Sequence, residues 1–189
     1  MKKIFAIVAV AALFTVGCGD KDEPKPETGL NQCYAGAPDW VINGGAEGGI
    51  TAVGSSRILK SGQGPTRTMA LGSARNEMAR SINVKVNNMM KSFTQSTGIG
   101  DDEVVDTVVA DVSKQISSET LQGTRQRAIW QSPCDELYVL IEADPSLVQN
   151  AVKNGVNSSY RNDNALWQQF QAQKAQDELD AAIRAEFSR

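Results

Sequence analysis

The chain contains no histidine. That removes the usual general base near neutral pH and the commonest zinc or haem ligand, so many hydrolytic and metal-dependent mechanisms are closed to it. There are three cysteines, at positions 18, 33 and 134, and metal binding by such lone thiols is not expected. No compact cluster of lysine and arginine is visible along the sequence, and the formal charge is -3, which makes nucleic acid and anionic membrane surfaces poor partners. The longest apolar stretch, Ile4 to Val16, falls short of the roughly 20 residues that a membrane-spanning helix needs. There is also no internal repeat and no long low-complexity tract. These absences leave an acidic chain with little visible catalytic equipment.

At the start of the chain, Met1-Lys2-Lys3 is a short positive segment, followed by the apolar and small residues Ile4 to Val16 and by Gly17. This is the layout of a secretory signal. Gly17-Cys18 resembles the lipobox of bacterial lipoproteins, in which the cysteine thiol is diacylated, the peptide is cut before it and the new amino group is acylated. Only a thiol can form the thioether to the lipid. Thr15 departs from the family pattern, which prefers leucine three places before the cysteine. The alternative is an ordinary signal peptide whose next residue happens to be cysteine. Residues 1–17 are therefore expected to be a lipoprotein signal peptide. Cleavage would leave 172 residues, enough for one domain plus appendages. Loss of Lys2 and Lys3 takes the formal charge from -3 to -5. Acyl chains, palmitate among them, would hold the protein on a bilayer, since two such lipid signals already suffice for stable anchoring. Gly19 follows the cysteine where aspartate is the familiar inner-membrane retention signal, so the outer membrane is the expected location, with its periplasmic or outer face undetermined.

With Cys18 consumed by lipid, Cys33 and Cys134 remain in an oxidising compartment, and a disulfide is their natural pairing. It would close a loop of about 100 residues, for which the chain-entropy estimate is roughly 4 to 5 kcal/mol before strain. The alternative is two separate free thiols. Residues 18–36 read as the lipidated cysteine and a tether, because "GDKDEPKPETG", Gly19 to Gly29, has no apolar residue and contains Pro24 and Pro26.

Residues 37–156 read as an α+β domain. "APDWV" is expected to be an extended entry, with Trp40 plugging an edge of the core. "GGITAVGSSR" reads as a strand in which Gly54 marks a bulge or a close backbone approach. Leu71, Ala74, Met78 and Ile82 lie on one face of an amphipathic helix starting near Pro65, and the small residues Ala70, Gly72, Ser73 and Ala74 would let it lie close to a sheet. From Ile82 the alternation Ile82, Val84, Val86 predicts a half-buried strand. Val105, Val108, Val109, Val112 and Ile116 predict a second helix, with Asp101, Asp102 and Glu103 at its positive end. "GTRQRAIWQ" and "ELYVLIEA" predict an antiparallel hairpin with Cys134 at its tip. Asp144 and Pro145 start a short helix with the stripe Leu147, Val148, Ala151 and Val152, ended by Gly155, and "VNSSYRN" follows as a loop. Residues 157–189 form a C-terminal helical extension, with one long helix from Asp163 to Phe187. Its Leu179, Ile183 and Phe187 stripe is either core or a surface for self-association or another envelope protein.

The lipobox cysteine, the "PDWV" entry, the "ITAVGSS" strand, the alanine-rich helix leading into "INVKV", and the "LQGTRQRAIW" to "LYVLIEA" hairpin together resemble the Lpp-twenty lipoprotein family. Related domains occur in the flagellar outer-membrane lipoproteins of the O and P types and in the flagellar T protein. The resemblance implies a small antiparallel sheet of three to four strands with a helix packed across it, somewhat like the dodecins. It implies no catalytic residue, and neither a cofactor nor a metal is expected. Asp101, Asp102, Glu103 and Asp106 are the sharpest acid–base candidates, but a helix start explains them. "GQGPTR" lacks the lysine and hydroxyl residue of a phosphate-binding loop and reads as a plain loop. The expected function is a non-enzymatic, lipid-anchored envelope lipoprotein with a structural or protein-interaction role, in a flagellar or outer-membrane assembly. The alternative is a periplasmic module that binds a small ligand.

Overall fold

The computed structural model describes residues 32–47, 49–119 and 123–187, without the side chains of 117–119. The elements in chain order are α1 (Asp39–Ile42), β1 (Ile50–Arg57), α2 (Gln63–Thr97), α3 (Asp102–Glu119), β2 (Arg125–Gln131), β3 (Glu136–Ala143), α4 (Pro145–Arg161), α5 (Asn164–Phe170) and α6 (Gln173–Phe187). The three strands form one antiparallel sheet in the order β1-β3-β2. The architecture is α+β, with the central strand β3 buried along most of its length.

The sheet and α2 meet where β1 has no side chain. Gly54 lies between Val53 and Ser55 opposite Val139, and a Cβ there would stand 2.1 Å from the Ala74 nitrogen and 2.5 Å from the Ala70 carbonyl oxygen. Only glycine admits that approach. Ile50, Ala52, Val139, Ile141 and Ala143 complete the helix-facing side of the sheet, and Ala70, Ala74 and Met78 meet them from α2. The close approach expected at Gly54 and the role of the small residues are both present. Leu71 is packed beside the core, not fully inside it.

The strand expected from Ile82 is instead the middle of α2, which runs unbroken for 35 residues. Ile82, Val86, Met89, Met90 and Phe93 are buried, whereas Val84 is 61% exposed. The alternation of β-branched residues fits a strand locally, but the helical spacing is the one that puts every buried residue on one face toward α3 and α6. Intrinsic preference loses to packing here. The chain around "GQGPTR" departs from the expected loop too, because Gln63 opens α2 directly after Gly62. Gly98, in the left-handed region at φ 69°, ends the helix by donating its N–H to the Thr94 carbonyl at 2.8 Å.

The entry segment is extended only through Pro38 and then makes the single turn α1, which buries Val41. Helix α3 presents Val105, Val108, Val112 and Ile116 to the core as expected. Asp144 caps α4, its Oδ1 accepting the Ser146 N–H at 2.9 Å. The Ser146 hydroxyl and N–H hold that carboxyl below the ordinary aspartate range, so this cap weakens as pH falls through the lowered value. Contrary to expectation, Gly155 does not end α4. A Cβ there would stand 2.9 Å from Val112 Cγ2, so this glycine lets α4 lie against α3, and the helix continues through "VNSSYR" to Arg161. Position 156/157, the expected start of the C-terminal extension, therefore falls inside α4.

The expected long C-terminal helix is two helices, α5 and α6, separated at Gln171 and Ala172. Asp163 caps the first, accepting from the N–H groups of Ala165 and Leu166. Phe170 stacks on Tyr160 with ring centroids 4.5 Å apart and meets Phe93 edge-on at 6.0 Å. Burial pushes the Tyr160 hydroxyl up to about 12. Helix α6 then turns Ala175, Leu179, Ile183 and Phe187 onto α2 and α4, where all are buried. Lys85 donates to the Glu186 carbonyl at 2.8 Å, and Lys153 contacts Asp180 Oδ1 at 2.5 Å. The stripe read as a candidate interaction surface is thus covered by the chain itself, because it completes the core that α2 would otherwise leave open.

Gly54→Ala is expected to destabilise the fold by at least about 3 kcal/mol, because backbone atoms cannot yield as side chains do. Gly72→Ala, where an added Cβ meets nothing within 4 Å, should be neutral or stabilising by up to about 1 kcal/mol. Urea unfolding of both variants checks the pair. Phe187→Ala should cost about 3 to 5 kcal/mol, the loss typical of a core aromatic, and calorimetry distinguishes this from a surface residue that leaves stability unchanged.

Candidate functional site

The lipid-attachment candidate, Cys18, lies outside the described residues, as does most of the tether. What the structure describes is the place where that tether joins the domain. Cys33 and Cys134 form a disulfide with Cα atoms 5.1 Å apart, across 101 residues of sequence. Cys134 sits in the tight turn between β2 and β3, and Asp135 beside it adopts a positive φ of 58° to close the hairpin. The bridge therefore pins the first described residues to the hairpin tip.

Ser132 locks this corner. It is buried, its hydroxyl donates to the Cys33 carbonyl at 2.5 Å, and it accepts the Cys134 N–H at 3.1 Å. One small side chain thus satisfies backbone groups from both halves of the bridge. Next to it, Tyr34 packs on Tyr138 at 6.2 Å and Tyr138 on Trp130 at 5.5 Å, an aromatic row on the sheet face turned away from α2. The Tyr138 hydroxyl donates to Glu136 Oε2 at 3.1 Å and stands 3.3 Å from the Tyr34 hydroxyl. The second oxygen of Glu136 accepts from Ser55 at 2.7 Å. Burial, then the neighbouring hydroxyl and carboxylate, raise the Tyr138 phenol above its ordinary range, so it stays a protonated donor. Trp40 is half-buried in the same entry segment.

The carboxylates singled out as acid–base candidates serve the start of α3. Asp101 Oδ1 accepts the Val104 N–H at 3.0 Å, and the Asp101 carbonyl accepts from Val105. A cleft of about 340 Å³ lies beside them, lined in part by Asp101, Glu103, Thr107, Asn162 and Asp163. Two of its carboxylates, Asp101 and Asp163, are helix caps. Among the described residues no group of three or more His, Cys, Asp or Glu side chains is arranged to hold a metal ion, and no helix is long and apolar enough to cross a membrane. What sequence reasoning missed is Ser132 and the Tyr34–Tyr138–Trp130 row. The only available signal was that Tyr34 and Ser132 flank the two bridging cysteines.

The LPP20 lipoprotein family matches residues 38–144, from the Pro38 cap of α1 to the end of β3. That is more than half of the chain. The chain belongs to the LPP20 lipoprotein family. Against the curated proteins it has no match. The LPP20 region contains the whole sheet, α2 and α3. The bridge joins Cys134 inside this region to Cys33 ahead of it. Membership makes this a membrane-anchored lipoprotein of the cell envelope.

Cys33→Ser and Cys134→Ser should each lower stability by about 4 to 5 kcal/mol, the loop-closure figure for a bridge of this span. The double variant should lose no more than either single one. Guanidinium unfolding of the four proteins checks this, and additive losses would show that the thiols act separately.

Proposed function

We propose that this LPP20 lipoprotein is acylated at Cys18 and held at the outer membrane, where its domain has a structural or protein-interaction role in an envelope assembly such as a flagellar one. The observation that carries this reading is the sequence of parts: a cysteine behind a signal-like segment, a polar tether, and a domain whose first described residues are bridged to a hairpin tip. A tether attached through a covalent bridge transmits a pull on the anchor to the central strand, not to the entry segment alone. The role is non-enzymatic, with membrane contact through acyl chains and with envelope proteins or a second copy as partners. Gly19 after the cysteine supports the outer membrane over the inner one. The small-ligand alternative draws on the open cleft beside α3, whose lining is already committed in part to capping.

Cys18→Ala should leave the chain in the aqueous phase on detergent partitioning, whereas the unmodified sequence enters the detergent phase and fractionates with the outer membrane. A cleaved Cys18→Ala protein that still partitions into detergent would refute the anchor. Native mass spectrometry after mild extraction separates the two roles: a co-purified protein supports the assembly reading, and a bound small molecule supports the alternative.

A further inference from the structure

An asparagine followed by glycine can convert itself to aspartate, because the glycine nitrogen has no neighbouring side chain to obstruct its attack on the carboxamide and its backbone bends readily into the ring that forms. The sequence holds two such pairs, Asn43-Gly44 and Asn154-Gly155. By composition they are equivalent. The fold puts them in opposite conditions.

Asn43 is the exposed residue that ends the single turn of α1, its own N–H donating to the Asp39 carbonyl at 2.8 Å. Its carboxamide makes no hydrogen bond among the described residues, and the Gly44 N–H has no acceptor among them. Gly44 is exposed too, in the left-handed region at φ 71°, with nothing within 4 Å of the place a Cβ would take. Both reacting groups are therefore unengaged. Bringing the Gly44 nitrogen onto the Asn43 Cγ needs rotation about the Asn43 Cα–C bond, now at ψ -4°, in a segment where no packed neighbour resists it. Asn154-Gly155, by contrast, lies in the middle of α4. A Cβ on Gly155 would stand 2.9 Å from Val112 Cγ2 and 3.1 Å from Val112 Cα, so this backbone is held against α3. Ala151, Val152 and Val156 around it are buried. The same rotation at Asn154 would break the helical ladder and pull those residues out of the core, so ring closure there waits on local unfolding of α4.

We propose that Asn43 is a site of spontaneous deamidation, so that the charge of the entry segment changes with the age of the molecule, and that α4 protects Asn154. The Gly44 nitrogen loses its proton to hydroxide and bonds to the Asn43 Cγ. The Cγ–Nδ2 bond breaks and Nδ2 leaves as ammonia, closing a succinimide. Water then opens the ring at one of its two carbonyl carbons. Opening at Cγ leaves an ordinary aspartate at position 43. Opening at the main-chain carbonyl carbon leaves an isoaspartate, with the chain running through Cγ and one methylene longer. Either product adds a carboxylate to the recess around Asn43, which already holds Asp39 and Glu47 beside Trp40. The isoaspartyl form also lengthens the chain just before a clasp on β1, in which the Ala46 N–H donates to Thr51 Oγ1 at 2.9 Å and the Thr51 hydroxyl donates to the Ala46 carbonyl at 3.0 Å. That clasp loosens. The inference requires neither acylation of Cys18 nor a partner.

The test incubates the whole mature chain, residues 18–189 with Cys18→Ser, in mildly alkaline buffer and follows both asparagines by peptide mapping and mass spectrometry. In the folded chain Asn43 should convert at least about tenfold faster than Asn154, because only the latter must first open a helix. In urea the two rates should become similar. Ion exchange should show an acidic species growing with time, and Asn43→Gln, whose ring would be one atom larger, should abolish it. The isoaspartyl fraction should exchange its Ala46 amide hydrogen faster than fresh protein does, whereas Asn43→Asp should leave that exchange unchanged. Equal rates at the two sites in the folded chain would overturn the proposal, as would an Asn43 that converts in urea but not in the folded chain. An acidic species that persists in Asn43→Gln would overturn the assignment to this residue, and unchanged Ala46 exchange in the isoaspartyl fraction would overturn the loosening of the clasp.

Discussion

The contact on which the fold depends is backbone against backbone, Gly54 of β1 under Ala70 and Ala74 of α2. Because no side chain stands between them, α2 sits low over β1 and β3, and its remaining length is fixed in direction by that first contact. The helix then projects past the sheet for several turns, presenting Ile82, Val86, Met89, Met90 and Phe93 where no strand reaches. Helices α3, α4, α5 and α6 exist as a second layer because those residues need cover. The aromatic group of Phe93, Tyr160 and Phe170 marks where they converge.

The same placement has a cost at the other edge of the sheet. A helix centred over β1 and β3 cannot also cover β2, so Ile129 remains half in water, and Arg67 reaches from α2 to Gln126 on that strand. The bridge to Cys134 brings the chain's N-terminal side to this end of the molecule. The bridge and the bare strand edge are therefore neighbours at the hairpin end.

Local signals in the sequence were strong where backbone chemistry is demanding. Gly54 within a run of β-branched residues, Asp144-Pro145 ahead of an apolar stripe, and the turn residues around Cys134 each have one comfortable conformation, and each was readable. The cysteine count led to the Cys33–Cys134 pairing, although proximity itself was invisible. The misreadings came where two periods fit the same residues or where a residue type has two uses. Ile82, Val84 and Val86 match a strand over six positions and a helix over twenty. Gly155 is a common helix stop, but here it is the gap that admits Val112. The Leu179, Ile183 and Phe187 stripe, by contrast, is open to both readings in the sequence, because its pattern is the same whether it meets its own domain or a partner.

From the sequence alone follow the class of protein, the α+β composition and the positions of several caps and turns, because those depend on composition and on interactions within a few residues. The tertiary structure decided that α2 runs straight through its β-branched segment, that the C-terminal stripe is core, and that Arg67 and Arg75 face β2. Those outcomes turn on which distant surfaces meet. Burial of a whole face outweighs the tenths of a kcal/mol by which single residues prefer one local conformation over another.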